Sequence, residues 1–221
     1  MGLKHHPRVV TNGLIYYLDA ANTRSYSGSG NTAYALIGGI GGTLLNGVGF
    51  SSLYAGYFSL DGTNDYIDFG TLPANTSGKA TVACWVKTTS STTGLPLSFD
   101  SYGGIYINRF TTGKILAFFD GSTGNNTSAD VSVRSVNDGN WHYLSATTDG
   151  STCSMYIDGV LDKTYSETPL FGTSIYNSIG GQADGFNFIN CFVSMAHIYN
   201  RDLSAQEILQ NYNATKRRYG L

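Results

Sequence analysis

Asp61, Thr63 and Asp65 stand at the spacing of the first three ligands of an EF-hand calcium loop. Such a loop turns on a Gly at position six and closes on a Glu at position twelve. Here Gly62 falls at position two and Leu72 stands where the Glu is needed, so that motif is not formed. Carboxylates could instead cleave a glycosidic bond, which takes an acid and a nucleophile or base at a set separation. The chain holds only Glu167, near Pro169 in a loop, and Glu207, placed to cap a helix. The pairs Asp65/Asp68 and Asp158/Asp162 fit turns and solvent faces. His142 and His197 fall inside strand-like runs, and no G-x-S-x-G elbow offers a serine nucleophile. The glycines between Gly38 and Gly42 are followed by no Lys-Ser/Thr, so they are no phosphate loop. Catalysis is therefore not expected.

Binding is the better chemistry for these residues. A sugar site needs aromatic surfaces beside a few fixed polar groups. Tyr102, Tyr106 and Phe186, with Asn187 and Asn190, lie in Gly-rich loops and strand ends that could supply them. A Tyr-rich contact with another protein would use the same residues. The three cysteines, Cys84, Cys153 and Cys191, form no C-x-x-C pair and sit in apolar runs, as buried free thiols would.

The elements that must position these groups are short strands. Charged residues are 13% of the 221, so Ser, Thr, Asn, Gly and Tyr carry the surface. Asp-Gly occurs six times and Asn-Gly twice, and both reach positive φ cheaply, which favours hairpins. Between them run alternating segments rich in β-branched and aromatic residues. The clearest is Thr81–Lys87, with Val82, Cys84 and Val86 on one face and Ala83, Trp85 and Lys87 on the other. Further strands are expected at 14–19, 57–60, 66–69, 104–109, 115–119, 141–148, 154–158 and 192–199. One helix, about 204–218, is marked by the capping box Ser204-Ala205-Gln206-Glu207, a Leu203–Ile208 staple and an apolar stripe of Ile208, Leu209 and Tyr212. Gly220 stops it. The reading is a single all-β domain over 13–221, preceded by an arm over 1–12, with Val82, Cys84, Val86, Met155 and Val193 in the core. A net charge of −2 leaves no footprint for nucleic acid, and no apolar run is long enough for a membrane span.

Three ordered segments carry a family resemblance. They are Phe58-Ser59-Leu60-Asp61-Gly62-Thr63-Asn64-Asp65-Tyr66-Ile67; then Thr81–Val86 with Trp141-His142 and Met155–Gly159; then Ile198-Tyr199-Asn200-Arg201-Asp202-Leu203-Ser204-Ala205-Gln206-Glu207-Ile208. Together they resemble the concanavalin A-like jelly roll of laminin-G-type domains. The resemblance implies two antiparallel sheets packed face to face with a short C-terminal helix. It also implies a rim where one Ca²⁺ could bind, with Asp61, Asn64, Asp65 and Asp184 the positions to test. The plain alternative there is a hairpin turn at Asp61-Gly62 with Asn64 and Asp65 solvated. No other cofactor is implied. The chain departs from the pattern at Cys191, where a Gly is usual, and in the Gly-rich stretch 36–42.

A narrower resemblance lies at the two ends. Gly2–Val10, running into Leu18-Asp19-Ala20-Ala21-Asn22, and the closing Asn211–Gly220 are similar to structural proteins of large tailed phages. That implies a virion component, a capsid decoration protein first and a tail-associated one second, with a soluble lectin-like module as the alternative. Its expected partners are other virion proteins in an oligomeric assembly, and a cell-surface glycan. No secretory leader is seen, so synthesis in the host cytoplasm is expected. Lys4, His5, His6 and Arg8, with no acid among them, make the leader a basic arm suited to docking on an acidic shell.

Overall fold

A computed structural model describes residues 7–100, 103–119, 126–171 and 176–221. The strands are β1 (Leu14–Asp19), β2 (Thr32–Tyr34), β3 (Gly41–Leu45), β4 (Gly49–Ser51), β5 (Tyr57–Asp61), β6 (Tyr66–Asp68), β7 (Ala80–Lys87) and β8 (Gly94–Phe99). They continue with β9 (Gly103–Ile107), β10 (Ile115–Phe118), β11 (Trp141–Thr148), β12 (Thr152–Ile157), β13 (Val160–Ser166), β14 (Ser178–Ile179) and β15 (Asn190–Tyr199). The larger sheet runs β13-β12-β11-β7-β15-β5-β4, and the smaller runs β10-β9-β8-β14-β6-β3-β2. Every pairing described is antiparallel. β1 and β5 share one side of β15, β1 on its C-terminal half and β5 on its N-terminal half. The expected two-sheet, all-β sandwich is the fold.

Alternation does the sorting. Val82, Cys84 and Val86 point into the cluster between the sheets, with Met155, Val193, Ile105 and Ile107. Ala83 and Trp85 point out of the larger sheet, yet both are fully buried because the C-terminal segment lies over them. The three cysteines are buried and free. Burial pushes the Cys84 thiol up to about 12 and raises the other two as well, so they behave as small apolar side chains.

The turn pairs divide. Asp158-Gly159 closes the β12–β13 hairpin with φ of 56° and 77°, as a type I′ turn requires. Asp61-Gly62 and Asn46-Gly47 do not make hairpins. They carry the chain across from one sheet to the other, β5 to β6 and β3 to β4. Gly62 is needed there: its φ is 78°, and a Cβ would lie 2.5 Å from the Asn190 N. The Gly-rich stretch 36–42 turns β2 into β3, which pair as a hairpin.

The helix, α1 (Ala205–Thr215), continues as a 3₁₀ turn to Tyr219, and Gly220 ends it at φ 79°. Its capping box forms: Glu207 N donates to Ser204 Oγ at 3.3 Å, and Ser204 N donates to Glu207 Oε2 at 2.9 Å. Arg201 donates two hydrogen bonds to the same carboxylate and, with the cap, holds its pKa down from 4.5 to about 2. Stability from this carboxylate is present above the ordinary Glu range and is lost as pH falls toward 2. Ser204→Ala is expected to cost about 1 kcal/mol. Hydrogen exchange should speed up within 205–215 and not in the sheets.

The expected apolar stripe is corrected on one residue. Leu209 is 42% exposed, and the face turned inward is Ile208, Asn211 and Thr215. Asn211 is polar because it is a connector. Its Oδ1 accepts from Val10 N at 2.8 Å and its Nδ2 donates to Tyr199 Oη at 3.0 Å. Tyr199 Oη in turn donates to Val10 O, and Gln210 donates to Arg8 O. The domain's packing therefore reaches back past the expected start at 13, to Arg8. Lys4, His5 and His6 lie outside the described residues.

Candidate functional site

The expected calcium positions fall in two places. Asp61, Asn64 and Asp65 share the crossover after β5, where Asp61 Oδ1 accepts from Thr63 N at 2.7 Å and Asn64 N at 3.4 Å. Asp65 is turned inward, with Oδ2 accepting from Asp61 N and its pKa raised by burial. Asp184 sits in the loop that carries Phe186 and Asn187. Among the described residues, no group of three or more His, Cys, Asp or Glu converges on a common point.

The groups weighed for catalysis have structural partners. Glu167 is buried and accepts from Phe119 N at 2.6 Å, and Glu207 is the helix cap. His197 is buried against Tyr143 Oη, and burial drives its pKa down to about 3, so the ring is neutral. His142 lies between Asp158 Oδ2 at 2.9 Å and Asp138 Oδ1 at 3.1 Å. Burial pulls its pKa down, but the two carboxylates outweigh that and leave it above 6.5. The raised value fixes a sign. The pair interactions stabilise the fold fully below the ordinary His range and are lost as pH rises through the higher folded value. In urea unfolding, the gap between wild type and His142→Gln should be widest near pH 5.5 and narrow by pH 8.5.

Of the expected sugar-binding residues, the structure brings Tyr106, Phe186 and Asn187 together. Asn187, held at φ 56°, donates to Tyr106 Oη at 3.4 Å and Gln182 Oε1 at 2.5 Å. Phe186 is 65% exposed. Tyr106 is corrected: it is only 3% exposed, stacked on Phe118 at 5.1 Å with the Arg109 guanidinium 4.9 Å from its ring centre. A ring so fully buried offers no stacking surface. Asn190 starts β15 in the other sheet and donates to Asp61 O. Tyr102 lies outside the described residues.

A better surface was not foreseen as a site. On the outer face of the larger sheet, strand register places Trp141, Lys87, Phe192, Ser59 and Gly49 in one row across β11, β7, β15, β5 and β4. The next row, with Tyr143, Trp85 and Met195, is roofed by Tyr212 and Tyr219 of the C-terminal segment. The roof also reaches Trp141 of the first row, 4.9 Å from Tyr219 and buried, and goes no further. Lys87, Phe192, Ser59 and Tyr57 stay part-exposed. Tyr57 packs on Phe192 at 4.7 Å and on Trp141 at 5.8 Å. Tyr54 joins from a 3₁₀ turn (Leu53–Ala55), 6.1 Å from Trp141 and 46% exposed.

Tyr54 has φ 52° and ψ 32°, the left-handed region that a bulky side chain rarely adopts. Gly56 holds the turn: its φ is 127°, and a Cβ there would lie 2.4 Å from Ala20 O. Strain of this kind persists only where the surroundings impose it, and it gathers at binding sites. The alternation of Lys87, Tyr57 and Phe192 was readable in the sequence. Their alignment in one open row was not.

Two concavities were weighed as sites, and only one of them borders these features. One of about 90 Å³ adjoins the row and is lined by Lys87, Thr89, Gly139, Asn190 and Phe192. The larger, about 310 Å³, is lined by Asp130, Ser151, Tyr165 and Glu167. It is the weaker candidate for a flat ligand, because its aromatic residue, Tyr165, spends its hydroxyl on Ala117 O.

A family model described as the concanavalin A-like lectin/glucanases superfamily matches residues 61–209. No curated protein matches the chain. Among solved structures, a Trypanosoma rangeli sialidase in complex with sialic acid aligns at TM-score 0.68 and 15% identity, over 95% of this chain and 34% of that one. The receptor binding domain of botulinum neurotoxin C/D mosaic serotype aligns at 0.65 and 15%, over 91% and 51%. The binding domain of botulinum neurotoxin DC in complex with SialylT aligns at 0.61 and 15%, over 92% and 51%. This chain thus spans between a third and about half of the length of those proteins, and at such identities the likeness is one of fold.

Proposed function

The chain belongs to the concanavalin A-like lectin/glucanases superfamily, and on that footing we propose that it is a non-catalytic carbohydrate-binding module. The observation that carries the reading is the half-open outer face of the larger sheet, where Tyr54, Tyr57 and Phe192 stay part-exposed around Lys87, beyond the reach of the C-terminal segment. Sugar rings have apolar C–H faces that lose water gladly against an aromatic surface, while Ser59, Thr89 and Asn190 offer hydroxyl and amide partners at its rim. Both glutamates are committed to backbone and arginine partners, which supports binding without bond cleavage.

The test is an array of neutral and acidic oligosaccharides probed with wild type and Tyr54→Gly. Glycine accepts the left-handed turn without strain, so the variant should melt within about 0.5 kcal/mol of wild type. Loss of one aromatic anchor should weaken glycan binding about tenfold or more. A wild type that binds no sugar, or a Tyr54→Gly protein that binds unchanged, rejects the platform.

A second reading concerns where the module is displayed. The two terminal segments that resemble virion proteins pack on each other: Val10 N on Asn211 Oδ1, and Gln210 on Arg8 O. The resemblance of both ends to virion proteins supports attachment to a phage particle through the leader, on capsid or tail, in contact with other virion proteins, with the packed residues 8–10 anchoring that leader to the domain. Mass spectrometry and imaging of purified particles would locate the chain. Deleting residues 2–7 should abolish particle binding while the domain stays folded, and normal binding by the truncated protein rejects the arm.

A further inference from the structure

Lys87 lies in the middle of the open row, between Trp141 on β11 and Phe192 on β15. Its ammonium is 5.7 Å from the centre of the Tyr54 ring. Among the described residues it makes no ion pair, whereas Lys79, Arg134, Arg201 and Arg218 each face a carboxylate. The acids on the surrounding elements are engaged elsewhere. Asp61, at the end of β5, accepts from the backbone of its own turn. Asp138, before β11, is held by His142 and Asn140. The platform thus carries a positive charge with no internal counter-charge, beside a cleft that Thr89 and Asn190 line with polar groups.

A neutral sugar gives that ammonium little reason to be there. A cation set among aromatic rings favours an anion brought in by the ligand, because partial desolvation strengthens a charge-assisted hydrogen bond. Resting on the platform reading, we infer that the module selects glycans bearing an anionic substituent, with a sugar ring on Tyr57 and Phe192 and the anion on the Lys87 ammonium at the cleft. A lysine ammonium is a compact point charge, so carboxylate and sulfate share this chemistry.

Titration calorimetry with three probes of equal length separates the cases: a neutral glucose hexasaccharide, an oligogalacturonate and a heparin-derived sulfated hexasaccharide. Wild type should bind at least one acidic probe about tenfold tighter than the neutral one, with the preference shrinking as salt is added. Tight binding of the oligogalacturonate shows that a carboxylate suffices, and binding of the heparin fragment alone, which bears carboxylates too, shows that sulfate is needed. In Lys87→Gln the ratio of acidic to neutral affinity should fall to about one, and in Lys87→Arg it should be kept. Equal affinities in wild type, or a preference that survives Lys87→Gln, overturns the inference while leaving the platform standing. If no probe binds and the broader array is also blank, the platform itself fails and this inference falls with it.

Discussion

Trp85→Ala should unfold the protein about 3–5 kcal/mol more easily than wild type. For a domain of this size that is a fall in melting temperature of roughly 10 °C. Trp85 is fully buried although it points out of the sheet. Its indole packs on Tyr219 at 4.1 Å, Tyr143 at 5.4 Å and Tyr212 at 5.7 Å, and Nε1 donates to Thr215 Oγ1 at 2.8 Å. Truncation leaves a large cavity and undocks the segment that roofs half of the outer face. Amide protection should therefore fall across 205–219 before it falls in the sheets, as hydrogen exchange will read. Trp85→Phe keeps a ring but not the donor, and should lose only about 1–2 kcal/mol. A loss below 1 kcal/mol for Trp85→Ala, with protection over 205–219 unchanged, would show that the C-terminal segment is held by something else.

The second large effect is expected at Arg218. Its Nη1 lies 2.7 Å and 2.8 Å from the two oxygens of Asp19, whose side chain is only 3% exposed. Arg218→Met strands that carboxylate, a change that costs about 3–5 kcal/mol in buried pairs. A third of the Arg218 side chain reaches solvent, and Tyr17 Oη and Ala21 N still donate to Asp19, so the lower end of that range is expected. Adding Asp19→Asn should recover most of the loss, because the stranded charge is then gone. If the double variant is no more stable than Arg218→Met in chemical denaturation, the penalty is lost packing rather than a buried charge.

The capping box, the Asp158-Gly159 turn and the two faces of β7 were legible in the sequence because each depends on residues a few positions apart. A hydroxyl three residues before a Glu, two positive-φ residues in sequence, and a period of two are local events. The Leu209 stripe failed for the same reason in reverse. Local periodicity ranks Leu209 as inward, but Asn211 is called inward by Val10 and Tyr199, more than ten positions away. Six strands, β2, β3, β4, β8, β13 and β14, were missed: β2, β4 and β14 are two or three residues long, and Gly, Pro or charged residues interrupt the pattern of β3, β8 and β13, which neighbouring strands hold in place.

The chain by itself thus determined the sandwich, the places of its strongest strands, the helix start and the buried thiols, since alternation and turn chemistry act within reach of a few residues. Tertiary structure alone decided the rest. It buried Tyr106, which looked like a binding ring, against Phe118 and beside Arg109. It sent Asp61-Gly62 from one sheet to the other instead of back along the same one. It aligned Lys87 with Phe192 and Trp141, which are separated by about a hundred and about fifty positions in the chain. Register between distant strands, and the place where the C-terminal segment stops covering them, are settled by which contacts can coexist in one packed body, and no local run of residues encodes that.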